Sequence, residues 1–459
     1  MTKKIGIRIG LIFCLLLLVA AFNSTKEAQP TALKRDPFVP TESLTKDDAI
    51  WVITDLHHLS PSLSDEGESF TFIKETSAGK ELDYPAQRME ALIWQIEKER
   101  PKLLLVSGDL TLNGEKQSAV ELADYFQQIE QFGTQVYVIP GNHDISNGWA
   151  RKFVGEDQEK TDQILPEDFQ SIFSDMGYQD AYTLDEHSLS YAVQPYTDLI
   201  LLMLDTNVYS QTEGKGAPPS NGLLKKETLT WIESVLEDTK KSGATVLPVL
   251  HHNLLKHNDF MTKGFTLDNE EEVKTLFLKY DIPVVFTGHT HVQDIAHEEN
   301  TLYDITTAAF SVMAPSIGKV TFDNEQFSYE KQAVDMKSWA SETNQIDNNL
   351  LNYTDYATHL FVEDGINMGL RQMIEEQWHE NSYAEEVGAF VGESNRLFFS
   401  GEASQMSTKQ LELMKESQGY QLIKKHSKGF LLRYMDNILK SDGHSDLDLS
   451  VSLLRSVDN

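Results

Sequence analysis

Short runs of consecutive apolar residues, rich in β-branched types, recur from residue 48 onward: Ile50 to Thr54, Lys102 to Ser107, Thr134 to Ile139, Asp198 to Leu204, Thr245 to Leu250 and Pro283 to Thr287. Such short runs, apolar on both alternating faces, predict buried strands. Between several of them the period changes, and Gln87 to Glu99, Glu115 to Phe132, Lys225 to Lys241 and Asn269 to Tyr280 read as helices. The alternation predicts an α/β layered domain. Ahead of the last helix, Asp268 with Glu271 three residues on is a candidate cap. From Gly318 to about Val334 a strand pattern returns, and it should close this domain near residue 338.

Residues 339–459 have a different character. Helix-length segments run over Tyr356 to Trp378, Thr408 to Glu416 and Gln421 to Lys440; Ser407 and Gln410 have capping-box spacing, and Leu431, Met435, Ile438 and Leu439 repeat at helical intervals. They predict a smaller, all-α accessory domain.

A chain of 459 residues is long for one core, which agrees with two domains. The start of the chain departs from both patterns. Lys3, Lys4 and Arg8 precede an uncharged apolar run from Ile9 to Phe22, with small residues at Ala20 and Ala21. That order is the layout of a secretory signal, or of an uncleaved membrane anchor, over residues 1–23. Pro30, Pro37 and Pro40 among polar residues make 24–47 a linker to a catalytic part at 48–338. The protein is therefore expected outside the cytoplasm, secreted or held at the membrane.

The only cysteine, Cys14, lies within the apolar run, which removes disulfides, thiolate metal sites and cysteine nucleophiles from the exported part. The formal charge is −32, and loss of residues 1–21, with three positive and no negative residues, takes it to −35. A surface of that sign repels nucleic-acid polymers. A small anionic ester is still drawn in by local metal charge.

Five short motifs carry candidate chemistry: Asp55-Leu56-His57, Gly108-Asp109, Gly141-Asn142-His143-Asp144, His251-His252 and Gly288-His289-Thr290-His291. Most directly follow a predicted strand, and strand ends are where open α/β sheets place their sites. The set supplies carboxylates, an amide oxygen and imidazoles, a donor mixture suited to Zn, Mn or Fe ions. In an extended segment alternate residues share a side, so Asp55 with His57, and His289 with His291, could each chelate one metal region. A carboxylate has an oxygen for each of two ions, which makes Asp109 a candidate bridge.

On these motifs, the sequence resembles the calcineurin-like metallophosphoesterase superfamily over residues 48–334, and within it the bacterial class III cyclic-nucleotide phosphodiesterases. The segment Gly108 to Glu115 adds to the likeness. The resemblance implies a four-layer α/β/β/α sandwich with a dinuclear site at one edge. It places one metal on Asp55, His57 and His291 and the other on Asn142, His251 and His289, with Asp109 bridging and His143 as the catalytic histidine. Asn253 stands where that cyclic-nucleotide group often has proline.

Two divalent or mixed-valence transition ions about 3.5 to 4 Å apart lower the pKa of bridging water and clamp phosphoryl oxygens, leaving a hydroxide placed for in-line attack. The expected activity is a metal-dependent phosphodiesterase acting on a small ester, cyclic nucleotides first. A phosphomonoesterase or nucleotidase with the same site is the alternative among enzymes, and a non-catalytic cell-envelope scaffold the alternative outside them. Asp144, His58, His252 and Asn253, beside the proposed ligands, are candidates for contacting substrate or steadying the ligands, with Asp144 a candidate to orient His143. Asp205 and His257 are weaker candidates of the same sort. Ser60 to Pro85, rich in Ser, Glu and Gly, reads as a flexible flap at the site.

Overall fold

The computed structural model of the protein describes residues 40–209, 214–322, 326–440 and 443–453. The predicted export signal and most of the linker lie outside the described residues. Among the described residues no helix is long and apolar enough to cross a membrane.

Strands β1 (Ile50–Ile53), β2 (Leu103–Ser107) and β3 (Gln135–Ile139) run parallel to one another. Parallel pairing needs a crossover between strands. Helices Pro85–Glu99 and Lys116–Glu130 supply it. After a small hairpin of β4 (Arg151–Val154) and β5 (Asp157–Lys160), the chain builds a second sheet from β6 (Thr183–Leu184), β7 (Tyr191–Tyr196), β8 (Leu199–Leu204), β9 (Thr245–Leu250), β10 (Val284–Thr287), β11 (Asp294–Glu298) and β12 (Leu302–Thr306). Its order is β11-β12-β10-β9-β8-β7-β6. Strands β13 (Ser316–Phe322) and β14 (Gln326–Ala333) then return to the first sheet, β13 lying antiparallel to β1.

The strand β8 shows why the sheets stack. All six of its residues are buried. Leu199, Leu201 and Met203 join a core with the first sheet's Ile50, Val52, Leu105 and Val138. Ile200, Leu202 and Leu204 point the other way, into a core with Ile232, Leu236, Val273 and Phe277 of helices Lys226–Ser242 and Glu270–Lys279. On the far side of the first sheet, Met89, Leu92, Ile96, Leu122 and Phe126 come from the crossover helices. The layers are therefore helix, sheet, sheet, helix, the four-layer arrangement expected from the sequence. Truncating a residue such as Leu201 to alanine would cost about 2–5 kcal/mol.

Several local expectations need correction. The Glu270–Lys279 helix begins after Asn269, and Asp268 instead accepts a hydrogen bond from Asn221 Nδ2 at 2.6 Å. The segment from Ser60 to Pro85 is not a bare flap. It contains the helix Glu68–Thr76, and Leu59, Leu63, Phe70 and Leu82 pack with Leu112 and Phe153 in a core of their own. These four apolar side chains, spread among mostly polar residues from Leu59 to Leu82, escape a composition argument, yet suffice to seat the segment.

The C-terminal region is helical up to Ile438. Its first part shares the core of the sheets through Trp339, Leu350, Tyr353 and Ala357. Farther on, the Tyr353–Glu375 and Asn381–Phe399 helices pack together and enclose Met373, Val387, Val391, Ile423, Leu431 and Met435. The capping box of Ser407 and Gln410 is formed. The single helix expected over Gln421 to Lys440 is two, Gln418–His426 and Phe430–Ile438, because Ser427 is extended at φ −69°, ψ 131°. The region also does not stay helical to its end. Strand β15 (Asp448–Ser452) pairs with β14 and gives the first sheet the order β15-β14-β13-β1-β2-β3. Its alternating Leu449 and Val451 pack on the sheet core between polar neighbours.

Candidate metal centre

Five strands of the two sheets end at one place. Asp55 follows β1, Asp109 follows β2, Asn142 follows β3, His251 follows β9 and His289 follows β10. All five strands are among the parallel ones, so their carboxyl ends face the same edge. The delivery is not through extended backbone, as alternating spacing suggested. Asp55, His57, Asp109, His289 and His291 all have φ between 41° and 69°. Left-handed backbone at non-glycine residues costs of order 1 kcal/mol or more each, and is retained where surrounding structure over-determines it. Here the turns aim side chains back over the strand ends.

The side chains form two groups that share one member. Asp55, His57, Asp109 and His291 place four candidate ligand atoms within 4.8 Å of one another, and Asp109, His251 and His289 place three. His57 Nε2 lies 3.6 Å from Asp109 Oδ2, while His251 Nε2 lies 3.4 Å from Asp109 Oδ1. One carboxylate thus turns an oxygen to each group. His291 Nε2 is 3.0 Å from His57 Nε2 and 3.4 Å from Asp55 Oδ1. Asn142 Oδ1 stands 3.1 Å from His251 Nε2, beside the second group. His289 and His291, read from spacing as one chelating pair, are divided between the groups, because the left-handed turn sends the two rings apart.

The donor set fits metal ions. Asp55 Oδ1 is buried with no hydrogen-bond partner, an expensive state unless something else binds it. Two imidazole nitrogens 3.0 Å apart can share one proton at most, whereas a cation can take a lone pair from each. His251 Nδ1 donates to Ser107 O at 2.9 Å, which leaves Nε2 to bind a cation; His289 Nε2 is held by Ser220 O and Gly264 O at 3.0 and 2.8 Å, which leaves Nδ1. Burial works to lower the pKa of His251, but Asp109 and then Asp55 raise it to about 9. Protons and metal ions compete for such a nitrogen. The approach of the loops is equally specific: a Cβ on Gly141 would lie 2.1 Å from the Asp109 backbone nitrogen. Only glycine lets those two motifs meet.

A model of calcineurin-like phosphoesterases matches residues 49–293. The chain belongs to that family. It is a metal-dependent phosphoester hydrolase, with a residue cluster suited to a dinuclear metal site. Residues 335–446 match the C-terminal domain of cyclic nucleotide phosphodiesterase. No curated protein matches the chain. Among solved structures, it is similar to a dimetal phosphatase from Danio rerio, at 12% identity over 62% of this chain and 96% of that one, with a TM-score of 0.44. It is also similar to a purple acid phosphatase from yellow lupin, Lupinus luteus, at 12% identity over 64% and 52%, with a TM-score of 0.39. The family match, not these loose superpositions, carries the assignment.

In this phosphoesterase, His143 stands beside the first group, its ring edge-on to His57 at 5.1 Å between centroids. Its Nδ1 donates to Leu112 O at 2.9 Å, with Asn113 Oδ1 at 3.0 Å, and its backbone N–H donates to Asp109 Oδ1 at 2.8 Å. Those partners orient it, and Asp144 does not. The Asp144 carboxylate accepts from the N–H groups of Leu110, Thr111 and Gly141 and from Thr111 Oγ1, at 2.7 to 3.0 Å. It ties the Gly108-Asp109 turn to the Gly141-Asn142 turn.

The other candidates also turn to support. His58 is buried and points to Glu121 Oε1 at 3.1 Å, away from the ligands. His252 Nδ1 meets Thr206 Oγ1 at 2.7 Å, and its ring backs that of His289 at 4.6 Å. Asn253 Nδ2 donates to Thr287 Oγ1 at 2.8 Å and joins the ends of β9 and β10. Asp205 accepts from Asn207 Nδ2, which also donates to Pro140 O beside the Asn142 turn. His257 lies between Asp294, at 2.5 Å, and Asp304, at 3.3 Å. Burial works to lower its pKa, but Asp304 and Asp294 raise it to about 10.

Three supporting residues are not among those predicted from the sequence. Thr54 Oγ1 donates to Asp55 Oδ2 at 2.8 Å, and Ser311 Oγ to Asp55 O at 2.8 Å. Asp304 accepts from Leu254 N, Leu255 N and Thr287 Oγ1 at 2.6 to 2.8 Å. Thr54 was findable as the residue before a ligand. Ser311 and Asp304 belong to no motif, and only their partners reveal them.

Proposed function

We propose that the protein hydrolyses small phosphate diesters, with cyclic nucleotides the leading class. The observation that carries the reading is Asp109, whose two oxygens lie 3.6 and 3.4 Å from histidines of different groups. In this reading Asp55, His57 and His291 hold one ion, Asn142, His251 and His289 hold the other, and Asp109 serves both. Two Mn, Fe or Zn ions bound there supply Lewis acidity, a lowered pKa for water and neutralisation of phosphoryl charge.

The chain's own groups complete the chemistry. His143 keeps its Nδ1 proton on Leu112 O. Its Nε2 is left for the ester, and as the imidazolium, protonated on both nitrogens, the ring would give its Nε2 proton to the departing oxygen and return to the neutral form. The C-terminal match to a cyclic nucleotide phosphodiesterase supports the diester over the monoester reading. The apolar, cation-led N-terminal segment supports a site of action outside the cytoplasm, secreted or anchored.

Steady-state hydrolysis of a bis-aryl phosphodiester against the matching monoester tests the assignment, with a panel of 2′,3′- and 3′,5′-cyclic nucleotides as the natural-substrate arm. A preference for the diester is expected. A preference for the monoester would replace this reading with a nucleotidase-like one.

A further inference from the structure

The segment carrying Lys80 is laced to the metal centre through backbone. Lys80 forms an antiparallel bridge with Val312. Glu81 N donates to Ser311 O at 2.8 Å, and Ser311 donates to Asp55 O through its N–H at 3.2 Å and its Oγ at 2.8 Å. The turn that delivers Lys80 is left-handed at Ala78 and Gly79, with φ of 56° and 74°. Gly79 is pressed against the C-terminal helix Tyr353–Glu375, since a Cβ there would lie 2.6 Å from the Phe361 ring. Phe361 in turn packs on Ala309, Val312 and Met313, the strip between Lys80 and Asp55.

The side chain held this way is not neutralised. Lys80 is half-buried, and its ammonium makes one hydrogen bond, to Ser77 O at 3.2 Å; no carboxylate pairs with it among the described residues. An ammonium has three donors, and one withdrawn from water is costly without a counter-ion. Its charge acts on Asp109, Asp55 and Asp364, and also on His57 and His143, so it lies within electrostatic reach of the centre to which its backbone is laced.

We propose that Lys80 is a substrate-binding residue whose ammonium donates to a non-bridging phosphoryl oxygen of the bound ester, and that Phe361 of the C-terminal helical region holds it in place. The proposal rests on the reading of this site as a phosphoester centre. It gives the helical region a task at the site: bracing the turn that presents the cation.

The test uses full-length, metal-loaded protein. Binding of inorganic phosphate is measured by calorimetry, metal content by elemental analysis, and KM and kcat on a bis-aryl phosphodiester. Lys80→Met is expected to weaken phosphate binding and raise KM by about tenfold or more, the worth of one charge-assisted hydrogen bond, with metal content unchanged. Lys80→Arg should restore most of the affinity. Phe361→Ala should weaken phosphate binding in part. Unchanged phosphate affinity in folded Lys80→Met, or in Lys80→Gln should the first variant not fold, overturns the role of Lys80. Unchanged affinity in Phe361→Ala overturns the bracing role. A wild-type protein that binds phosphate yet leaves the diester intact would count against the diesterase reading alone, and the binding measurements would still decide on Lys80.

Discussion

Asp144 and Asp55 are both fully buried, yet the groups around them treat the two carboxylates in opposite ways. Asp144 lies beneath the site and is saturated by four donors. Asp304 is similar, with two backbone N–H groups, a threonine hydroxyl and His257. Asp55, among the candidate ligands, has two donors on Oδ2, from Thr54 Oγ1 and His289 N, and no hydrogen bond on Oδ1. A buried carboxylate with all its lone pairs engaged is a structural clamp. One with an oxygen that accepts no hydrogen bond is free to bind a cation, and the left-handed turns at Asp55 and His57 hold it among the other donors. Burial alone would have ranked the two aspartates together.

The sharpest way to break this contrast is Asp109→Asn. It should empty the centre of metal and reduce hydrolysis to background, while the metal-free protein stays folded with a lowered urea midpoint at neutral pH, because His251 loses the carboxylate that raises its pKa although an amide oxygen can still accept from His143 N. A metal-free variant that does not fold would place Asp109 among the clamps. Next is His143→Ala, for which kcat/KM should drop about 10²- to 10⁴-fold with metal content preserved, as for loss of a general acid; loss of metal would make it a ligand instead.

Asp144→Ala should act in the reverse sense. It strands four buried donors, so unfolding of the metal-free protein should become easier by about 3 kcal/mol or more, read from urea midpoints. A smaller effect comes from His257. Its pKa is raised to about 10 in the folded protein, so its contribution to stability is complete below its ordinary value near 6.5 and is lost as pH rises through about 10. Urea midpoints of wild type should therefore fall toward those of His257→Asn between pH 7 and 10, whereas parallel curves would remove His257 from the brace. Smallest is His58→Gln, which should leave KM and metal content as they are, since His58 faces Glu121; a raised KM would return it to the substrate side.

Much of the scaffold, and the cluster of residues suited to a dinuclear metal site, could be read from residue order. Buried strands are continuous apolar runs whatever they pack against, so β1, β2, β3, β8, β9 and β10 were legible, as were the helices between them. The donor atoms were legible too, because strand-end Asp, Asn and His residues beside glycine have few other uses in this number. Short strands such as β6 and β15, and the core inside Ser60 to Pro85, were not, since a few apolar residues among polar ones carry no period long enough to recognise.

What residue order left open was direction. The motif Gly141-Asn142-His143-Asp144 contains a neighbour of the second group, a histidine beside the first group and a clamp, and nothing in their spacing distinguishes them. The difference arises where Asp144 turns inward to three backbone N–H groups and His143 turns to Leu112 O. Likewise Lys80 is an ordinary lysine in the sequence and an unpaired, half-buried cation only once Gly79 meets Phe361. Sequence determined which atoms are present at the edge of the sheets. Tertiary contacts decided which of them are already satisfied, because a hydrogen bond to a residue dozens or hundreds of positions away is set by packing and leaves no local pattern in the chain.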